Sequence, residues 1–183
     1  FKIVVLILGE ISLSMLLECN VEYVIIGHSE RRQIFNEEND SINKKVLKVI
    51  ESGIKPILCV GETIDEMNAG KAHNTIEEQL ISGLNGIKSL NNIIIAYEPV
   101  WAIGTGLTAS FEQINVVHKF IRKILSKLFD DKGSKNTPIL YGGSVNSANA
   151  NELISIDGVN GFLIGGASLD VVKFSEVVKI VNG

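Results

Sequence analysis

The stretch Ile93–Gly106, which reads IIIAYEPVWAIGTG, decides the fold of this chain. It begins with β-branched residues, and an aromatic residue follows shortly after them, as is typical of a strand that is buried on both faces. Glu98 comes at the end of this strand and directly before Pro99. Because a residue before proline is pushed away from the α-helical region, the chain cannot pass straight into a helix at Glu98. The stretch therefore predicts a buried strand that ends in a loop and carries a carboxylate at its end.

The loop after Pro99 is apolar and ends in glycines. Val100–Ile103 (VWAI) is followed by Gly104 and Gly106, so a stiff apolar segment has permissive backbone joints at its far side. Such a construction is typical of a lid that closes over a site. An apolar cover removes water from a carboxylate and makes it a stronger base, so Glu98 is a candidate general base. The alternative is a structural acid beside an ordinary loop.

The composition is that of an ordinary globular protein. The chain has 183 residues, of which 45% are hydrophobic and 21% charged, and it is expected to form one domain over residues 1–183. Its net charge of −4 and lack of a basic run argue against nucleic-acid binding. The charge does not exclude an anionic substrate, because backbone amides hold phosphate in proteins of any net charge. Cys19 and Cys59 lack the spacing of a metal site, which favours a reducing compartment, the cytoplasm.

The segment Phe1–Leu8 (FKIVVLIL) is apolar except for one lysine. It is too short to span a membrane, and no small-residue cleavage site follows it, so no membrane attachment is expected. A buried strand, or the start of an incomplete chain, is favoured over the remnant of a targeting segment. If a targeting segment preceded it, a plastid would be the alternative compartment.

The apolar segments and the helical patterns alternate along the chain. Strands are predicted at Tyr23–Gly27, Lys55–Val60, Ile93–Tyr97, Pro138–Tyr141 and Gly161–Ile164. Helices are predicted at Ile11–Cys19 and Ser41–Glu51, after capping-box sequences that begin at Thr63, Thr75 and Ser110, and at Phe174–Val181. This order predicts the α/β class, with a parallel sheet and right-handed crossovers. An open doubly wound sheet and part of a β/α barrel both fit; pattern alone favours the open sheet, since a full barrel takes about 250 residues.

A histidine and two glycine-rich turns follow predicted strands. His28 comes directly before Ser29, a typical helix start, so the positive end of a helix favours the neutral ring. A neutral imidazole donates a hydrogen bond to a carbonyl oxygen on which negative charge develops. Gly142-Gly143 and Gly165-Gly166 follow the last two strands, where backbone N–H groups can converge on an anion. The alternatives are a structural histidine and ordinary tight turns.

Several segments of the chain resemble the triosephosphate isomerase family. They are GHSERR (Gly27–Arg32), CVGET (Cys59–Thr63), AYEPVWAIGTG (Ala96–Gly106), YGGSV (Tyr141–Val145) and GFLIGGASL (Gly161–Leu169). The resemblance runs from about Gly9 to Gly183, in the family's order and spacing. It implies an α/β fold of the TIM (β/α)8-barrel type, of which this chain holds only the last five β/α units as a single partial barrel domain. It also implies interconversion of dihydroxyacetone phosphate and D-glyceraldehyde 3-phosphate, a homodimer in the full-length family, and no metal or organic cofactor.

The resemblance assigns roles to individual residues. Glu98 would be the base and His28 the electrophile, while Ser29 would hold Glu98 when the lid is open. The substrate phosphate would be held by Gly104, Ser144, Gly165 and Gly166. The lid and its latches would comprise Pro99, Trp101, Gly106, Ala109, Tyr141, Ser144 and Glu62. In the closed state Tyr141 would contact the backbone at Ala109, and Ser144 the backbone at Gly106. In the open state Glu62 would hold the indole N–H of Trp101.

The chain departs from the family at three places. The family has lysine at the peripheral position of Leu107, and Phe1–Leu8 does not match the family's segment before Gly9. The family also has three strands before Tyr23–Gly27, and a loop among them carries an asparagine and a lysine that bind substrate. These have no counterpart here, and Lys2 is not assigned to that role. An active triosephosphate isomerase and a catalytically inactive remnant that at most binds phosphate therefore both stay open. Another phosphate-binding barrel enzyme is disfavoured because several motifs agree.

Overall fold

The computed structural model describes residues 10–103 and 108–183. The predictions made for Phe1–Leu8, Gly104, Gly106 and Leu107 therefore lie outside the described residues. Within the two described ranges, no helix has the length and apolar character needed to cross a bilayer.

The described chain is an α/β fold built on a parallel sheet, which confirms the predicted class. The strands are β1 (Tyr23–Ile26), β2 (Lys55–Val60), β3 (Ile94–Tyr97) and β4 (Ile139–Tyr141), and they pair in that order. The register pairs Val60 with Tyr97, and Tyr97 in turn with Tyr141. Because these strands run in the same direction, their carboxyl ends meet at one edge of the sheet. In open α/β sheets that edge is where ligands bind.

Helices connect the strands. They are α1 (Leu13–Glu18), α2 (Ser29–Ile34), α3 (Asn39–Glu51), α4 (Ile64–Asn68), α5 (Ala72–Gly83), α6 (Phe111–Leu128), α7 (Asp131–Asn136), α8 (Ala150–Ile154) and α9 (Val171–Asn182). Short 3₁₀ turns lie at Val100–Ala102 and Gly166–Leu169. The predicted helices are present with small shifts of their ends, whereas α7 and α8 were not predicted.

The capping boxes were predicted with mixed success. Those at Thr63 and Ser110 are confirmed, since each side chain accepts from the backbone three residues on and the reciprocal bond is also present. The one at Thr75 is wrong. Its N–H already donates to the Lys71 carbonyl at 3.0 Å, so Thr75 lies inside α5, which starts at Ala72.

The fifth predicted strand, Gly161–Ile164, is wrong in its extent. Among the described residues, Phe162 forms a single bridge to Tyr141 and no longer ladder follows. Gly161 has a φ of +151°, a conformation that L-residues in strands do not adopt. The Asn160 side chain also takes a pairing position on β4 in place of a backbone group. The segment therefore pairs with β4 through only three backbone hydrogen bonds, at Asn160, Gly161 and Leu163, and does not form the full strand that was predicted.

The core is a layer of branched aliphatic side chains between the sheet and helices α3, α5 and α6. Its fully buried members include Ile42, Val46, Leu58, Ile76, Leu80, Ile95, Ile114, Ile121, Leu125 and Ile139. Burying one such side chain contributes about 1.5–3 kcal/mol relative to exposing it. This layer therefore fixes the helices against the strands and sets where the loops of the sheet's carboxyl edge begin.

The outer edge of β1 has no strand partner among the described residues. Tyr23 and Ile25 are 44% and 47% exposed there. A strand edge that carries exposed apolar side chains is a site at which chains associate.

His118, on α6, is a titratable group inside the core. Its side chain is fully buried, its Nδ1 lies 3.0 Å from the Gly158 carbonyl oxygen, and the Tyr97 ring packs against its ring edge-on. Burial lowers the pKa of His118 to about 4, and the positive charge of Arg122 acts in the same direction. The folded protein therefore holds this ring neutral.

We predict that His118 makes the fold less stable in acid. Its pKa lies below the unfolded value of 6.5, so its contribution is fully present above pH 6.5 and is lost as the pH falls towards 4. A shift of this size corresponds to about 3 kcal/mol in the free energy of unfolding. His118→Asn, whose amide N–H takes the place of Nδ1–H, should remove that part of the pH dependence, as measured by urea unfolding at pH 7 and pH 4.5. The same pH dependence in both proteins would contradict this assignment.

Candidate active site

Glu98 lies directly beyond the carboxyl end of β3, and its side chain is buried. Its backbone N–H donates to the Val60 carbonyl at 2.8 Å, which carries the pairing of β2 and β3 one step further. Its own carbonyl oxygen faces Gly61 so closely that a Cβ on Gly61 would lie 1.7 Å away. Since no side chain fits in that space, the position of Glu98 depends on a glycine in the neighbouring loop.

His28 and Ser29 contact the Glu98 carboxylate. His28 Nε2 lies 3.0 Å from Glu98 Oε1, and the Ser29 backbone N–H donates to Glu98 Oε2 at 3.2 Å. Both donors stand at the start of α2, which begins at Ser29 as the sequence predicts. The parallel sheet brings them to Glu98 because β1 and β3 end at the same edge.

His28 carries its proton on Nε2 in this arrangement. Its Nδ1 accepts the Glu30 N–H at 3.3 Å as the cap of α2, and an acceptor nitrogen cannot also carry a proton. The hydrogen bond to Glu98 raises the pKa of His28, and partial burial opposes that rise. If a neutral carbonyl replaced Glu98 as the acceptor beside Nε2, the largest cause of the raised pKa of His28 would be removed, while the negative charge of Glu30 would still act in that direction. The carbonyl would accept a hydrogen bond from the Nε2–H of His28.

Glu62 follows β2 and is 2% exposed. Its Oε1 accepts the Trp101 indole N–H at 2.7 Å and the Tyr97 hydroxyl at 3.2 Å. Its backbone carbonyl accepts the Val100 N–H at 3.1 Å, so the loop after Pro99 is held at two points. Burial raises the pKa of Glu62, whereas the hydrogen bond from Trp101 lowers it.

Beyond β4, two glycines permit close approaches. A Cβ on Gly142 would lie 3.0 Å from Glu98 Cγ, and one on Gly143 would lie 2.1 Å from the Tyr141 hydroxyl oxygen.

Burial raises the pKa of Tyr141 to about 12, while the Ala109 backbone N–H acts in the opposite direction. The hydroxyl makes no hydrogen bond of ordinary geometry with any described residue. The latch between Tyr141 and Ala109 therefore stays a prediction.

Ser144 joins the turn after β4 to the loop after β3. Its hydroxyl donates to the Ala102 carbonyl at 2.8 Å. The contact expected between Ser144 and Gly106, and the position of Gly104, lie outside the described residues.

A cavity of about 380 Å³ opens between these loops. Glu98 and His28 belong to its lining, and so do Ser144, Gly165 and Gly166. A Cβ on Gly165 or on Gly166 would point into open space, so the backbone there is accessible to a small ligand. Among the described residues that line the cavity, none is a lysine or an arginine. In the same described part of the chain, no His, Cys, Asp and Glu side chains are grouped to hold a metal ion.

Comparison with known proteins decides the family. The profile of the triosephosphate isomerase family matches residues 8–181. The chain belongs to the triosephosphate isomerase family. Proteins named triosephosphate isomerase from Francisella tularensis subsp. mediasiatica, Thermodesulfovibrio yellowstonii and Entamoeba histolytica are 46%, 48% and 47% identical to it. These matches cover 95%, 93% and 95% of this chain and 69%, 69% and 67% of the three proteins. Membership of the triosephosphate isomerase family makes the chain an isomerase enzyme.

Two residues that support the site were not predicted from the sequence. Gln79, on α5, bonds both backbone groups of Gly61. Arg32 donates to the Gly27 carbonyl at 2.7 Å and to the Cys59 carbonyl at 3.2 Å, and so ties the ends of β1 and β2 together. The GHSERR motif of the triosephosphate isomerase family contains the signal for Arg32. Nothing near Gln79 in the sequence distinguishes it from a surface glutamine.

We predict that Gly61→Ala disrupts this site. Its methyl group would overlap the Glu98 carbonyl, a backbone atom that cannot turn aside, so β2 and β3 must separate at their ends. Overpacking of this kind costs about 3 kcal/mol in the free energy of unfolding. Urea unfolding measures the loss, and Gly166→Ala, whose Cβ meets open space, is the matched control. Equal stability of the two variants would show that the contact at Gly61 does not constrain the fold.

Proposed function

We propose that the chain carries the chemistry of a triosephosphate isomerase, the interconversion of dihydroxyacetone phosphate and D-glyceraldehyde 3-phosphate through an enediolate. One observation carries the proposal: the Glu98 carboxylate and His28 Nε2 meet at 3.0 Å on the lining of one cavity. A base and a neutral donor this close together fit two neighbouring atoms of a small substrate, a carbon-bound proton and the adjacent carbonyl oxygen.

In the proposed mechanism, Glu98 removes a proton from the carbon beside the substrate carbonyl. The electron pair of that C–H bond forms the C=C bond of the enediolate, and the carbonyl oxygen becomes negatively charged. His28 stabilises this oxygen by donating from Nε2. The substrate carbonyl takes the place that Glu98 Oε1 now holds beside His28, because both need the same N–H. The proton of the hydroxyl group on the first carbon passes to the oxyanion on the second, and Glu98 returns its own proton to the second carbon. The oxygen that lost its proton becomes the new carbonyl, and no metal ion or organic cofactor takes part in these steps.

The phosphate group is proposed to bind at the glycine-rich turn of the cavity. Gly165, Gly166 and Ser144 belong to its lining, and backbone N–H groups in such turns bind anions. Gly104 joins this set by resemblance to the family. The Ser29 N–H is proposed to hold Glu98 while the lid is open, a role that its 3.2 Å contact supports.

The segment from Pro99 to Gly106 is proposed to act as the lid. The hydrogen bond from the Trp101 indole to Glu62 is proposed to belong to the open state. On closure the Tyr141 hydroxyl would bond the backbone at Ala109, and Ser144 would exchange its contact with Ala102 for one with Gly106. A closed lid excludes water from the enediolate.

We further propose a homodimer, a location in the cytoplasm and one partial barrel domain over residues 1–183. A plastid is the alternative location if a targeting segment precedes the sequence. The edge of β1, which no described strand covers, supports association between chains. The net charge of −4 supports a protein that binds no nucleic acid. The partner proposed at the site is a small phosphorylated triose, and no membrane partner is proposed.

One observation favours a second candidate, an inactive remnant that at most binds phosphate. Neither lysine nor arginine stands among the described residues that line the cavity. Both the phosphate and the enediolate bring negative charge beside Glu98, and His28 and backbone amides are neutral donors. A cation missing from such a site costs roughly 3 kcal/mol, on the order of a hundredfold in rate.

We therefore predict that the polypeptide of residues 1–183 alone has little isomerase activity. A chimera that joins the preceding part of the Thermodesulfovibrio yellowstonii relative ahead of Gly9 should be about a hundredfold more active or better, because by resemblance to the family this part adds strands and a lysine that binds substrate. A coupled assay of glyceraldehyde 3-phosphate conversion measures both proteins. A kcat/KM of the shorter polypeptide near the diffusional ceiling would show that its own residues supply the missing charge.

In that chimera we predict that Glu98→Asp lowers kcat by about a hundredfold and leaves KM nearly unchanged. The shorter side chain withdraws the base from the carbon-bound proton but does not touch the phosphate contacts. Glu78→Asp, an equivalent change at an exposed position of α5, serves as the control. If Glu98→Asp keeps its kcat and loses only affinity, Glu98 binds substrate and is not the base.

A further inference from the structure

Gln79 makes two hydrogen bonds to a single backbone residue. Its Oε1 accepts the Gly61 N–H at 2.8 Å, and its Nε2 donates to the Gly61 carbonyl at 3.1 Å. Gln79 projects from α5 and is 9% exposed, and Gly61 is buried as well. The carboxamide of Gln79 thus makes the two hydrogen bonds that the backbone of a neighbouring strand would make.

Gly61 needs such a partner because it lies just beyond the end of β2. Buried backbone groups that leave a sheet must find other hydrogen bonds. A glutamine side chain offers one donor and one acceptor in the same plane, as a peptide group does. A carboxylate offers acceptors only, and an aliphatic side chain offers neither. Position 79 therefore requires an amide side chain as long as that of glutamine.

The other side of Gly61 is occupied by Glu98. The Glu98 carbonyl leaves no room for a Cβ on Gly61, and the Glu98 N–H is bonded to Val60 at 2.8 Å. The next residue, Glu62, is bonded to the lid through Trp101. Because Gly61 is clamped between Gln79 and Glu98, a shift of its peptide moves either Glu98 or Glu62.

We propose that Gln79 is a positioning residue, which fixes the Gly61 peptide and through it holds both the Glu98 carboxylate at His28 and the Glu62 carboxylate at Trp101. The inference rests on the proposed function only for the role of Glu98 as base. The placement itself is independent of catalysis, and it has two spectroscopic reporters in the polypeptide of residues 1–183.

The first reporter is Trp101, the single tryptophan of the chain. In Gln79→Met the Gly61 peptide loses both bonds, so Glu62 releases the indole. Its emission should shift to the red, and iodide should quench it more strongly. In Gln79→Glu the same change is expected at pH 8. In acid the protonated carboxyl regains a donor for the Gly61 carbonyl, so its emission should return towards that of the wild type. At each pH the emission of the variant is compared with that of the wild type at the same pH, because Glu62 titrates in both proteins.

The second reporter is the ring of His28, followed by NMR and assigned among the three histidines by replacement of the other two with asparagine. The hydrogen bond to Glu98 raises the pKa of His28 in the wild type. In Gln79→Met, Glu98 withdraws, so the pKa of His28 should fall back towards its ordinary value. A purely structural glutamine would lower stability without moving this titration.

The matched control is Gln113→Glu. Gln113 Oε1 also accepts a backbone N–H at 2.8 Å, that of Ser110, but as part of an exposed capping box in which glutamate serves equally well. Both reporters should keep their wild-type values in this control. If Gln79→Met does not fold, as judged by circular dichroism, Gln79→Asn replaces it, because its amide is one methylene too short to reach Gly61.

Folded variants at position 79 with wild-type Trp101 emission and an unchanged His28 titration would overturn the proposal. Equal changes in Gln113→Glu would overturn it as well. Failure of the proposed function is a separate result: it would appear as an inactive chimera while both reporters still respond to Gln79. The positioning role is supported if both reporters change in the variants at position 79 but not in Gln113→Glu, and if the Trp101 emission of Gln79→Glu recovers in acid.

Discussion

The contact between two backbones, at Gly61 and Glu98, is the constraint on which the rest of the site depends. The register of β2 and β3 continues by one bond beyond the strands, from the Glu98 N–H to the Val60 carbonyl. At the next step the two chains approach so closely that only a glycine fits. The Glu98 side chain is thereby aimed by the sheet itself, and the loop after Pro99 starts from a fixed point. A loop residue on a rigid scaffold is the usual way to place a reactive group.

The site holds two buried carboxylates, and each accepts hydrogen bonds from donors that matter for the proposed chemistry. A buried carboxylate without donors would cost several kcal/mol or would take up a proton. Glu98 accepts from His28 and from the Ser29 backbone, while Glu62 accepts from Tyr97 and Trp101. Under the proposed function, a substrate carbonyl would compete for the donors of Glu98, and Trp101, one donor of Glu62, would move with the lid. The bonds that stabilise these two carboxylates would therefore be the ones that substrate binding and lid closure exchange.

The geometry of the site and its charge have different origins. Neighbouring parallel strands bring their carboxyl ends together through local pairing, so Glu98, His28 and the glycine turns meet in one cavity although β1 has an uncovered edge in the described residues. Under the proposed function positive charge is a separate requirement, because a phosphate and an enediolate would place two anions beside Glu98. The described lining contains no lysine or arginine, so membership of the triosephosphate isomerase family and the activity of these residues alone are separate questions.

The sequence by itself determined the α/β class, the order of the first four strands and the position of Glu98 at a strand end. Those features follow from apolar runs, from the capping boxes at Thr63 and Ser110 and from Pro99, all of which act over a few residues. Only the tertiary structure decided that Gln79 turns inward to Gly61, that Gly161–Ile164 pairs at a single residue, and that His28 Nε2 faces the Glu98 carboxylate. Each of these depends on the distance between segments far apart in the chain. That distance is set by how α5 packs on β2 and by the register of parallel strands, and no local pattern of residues encodes either.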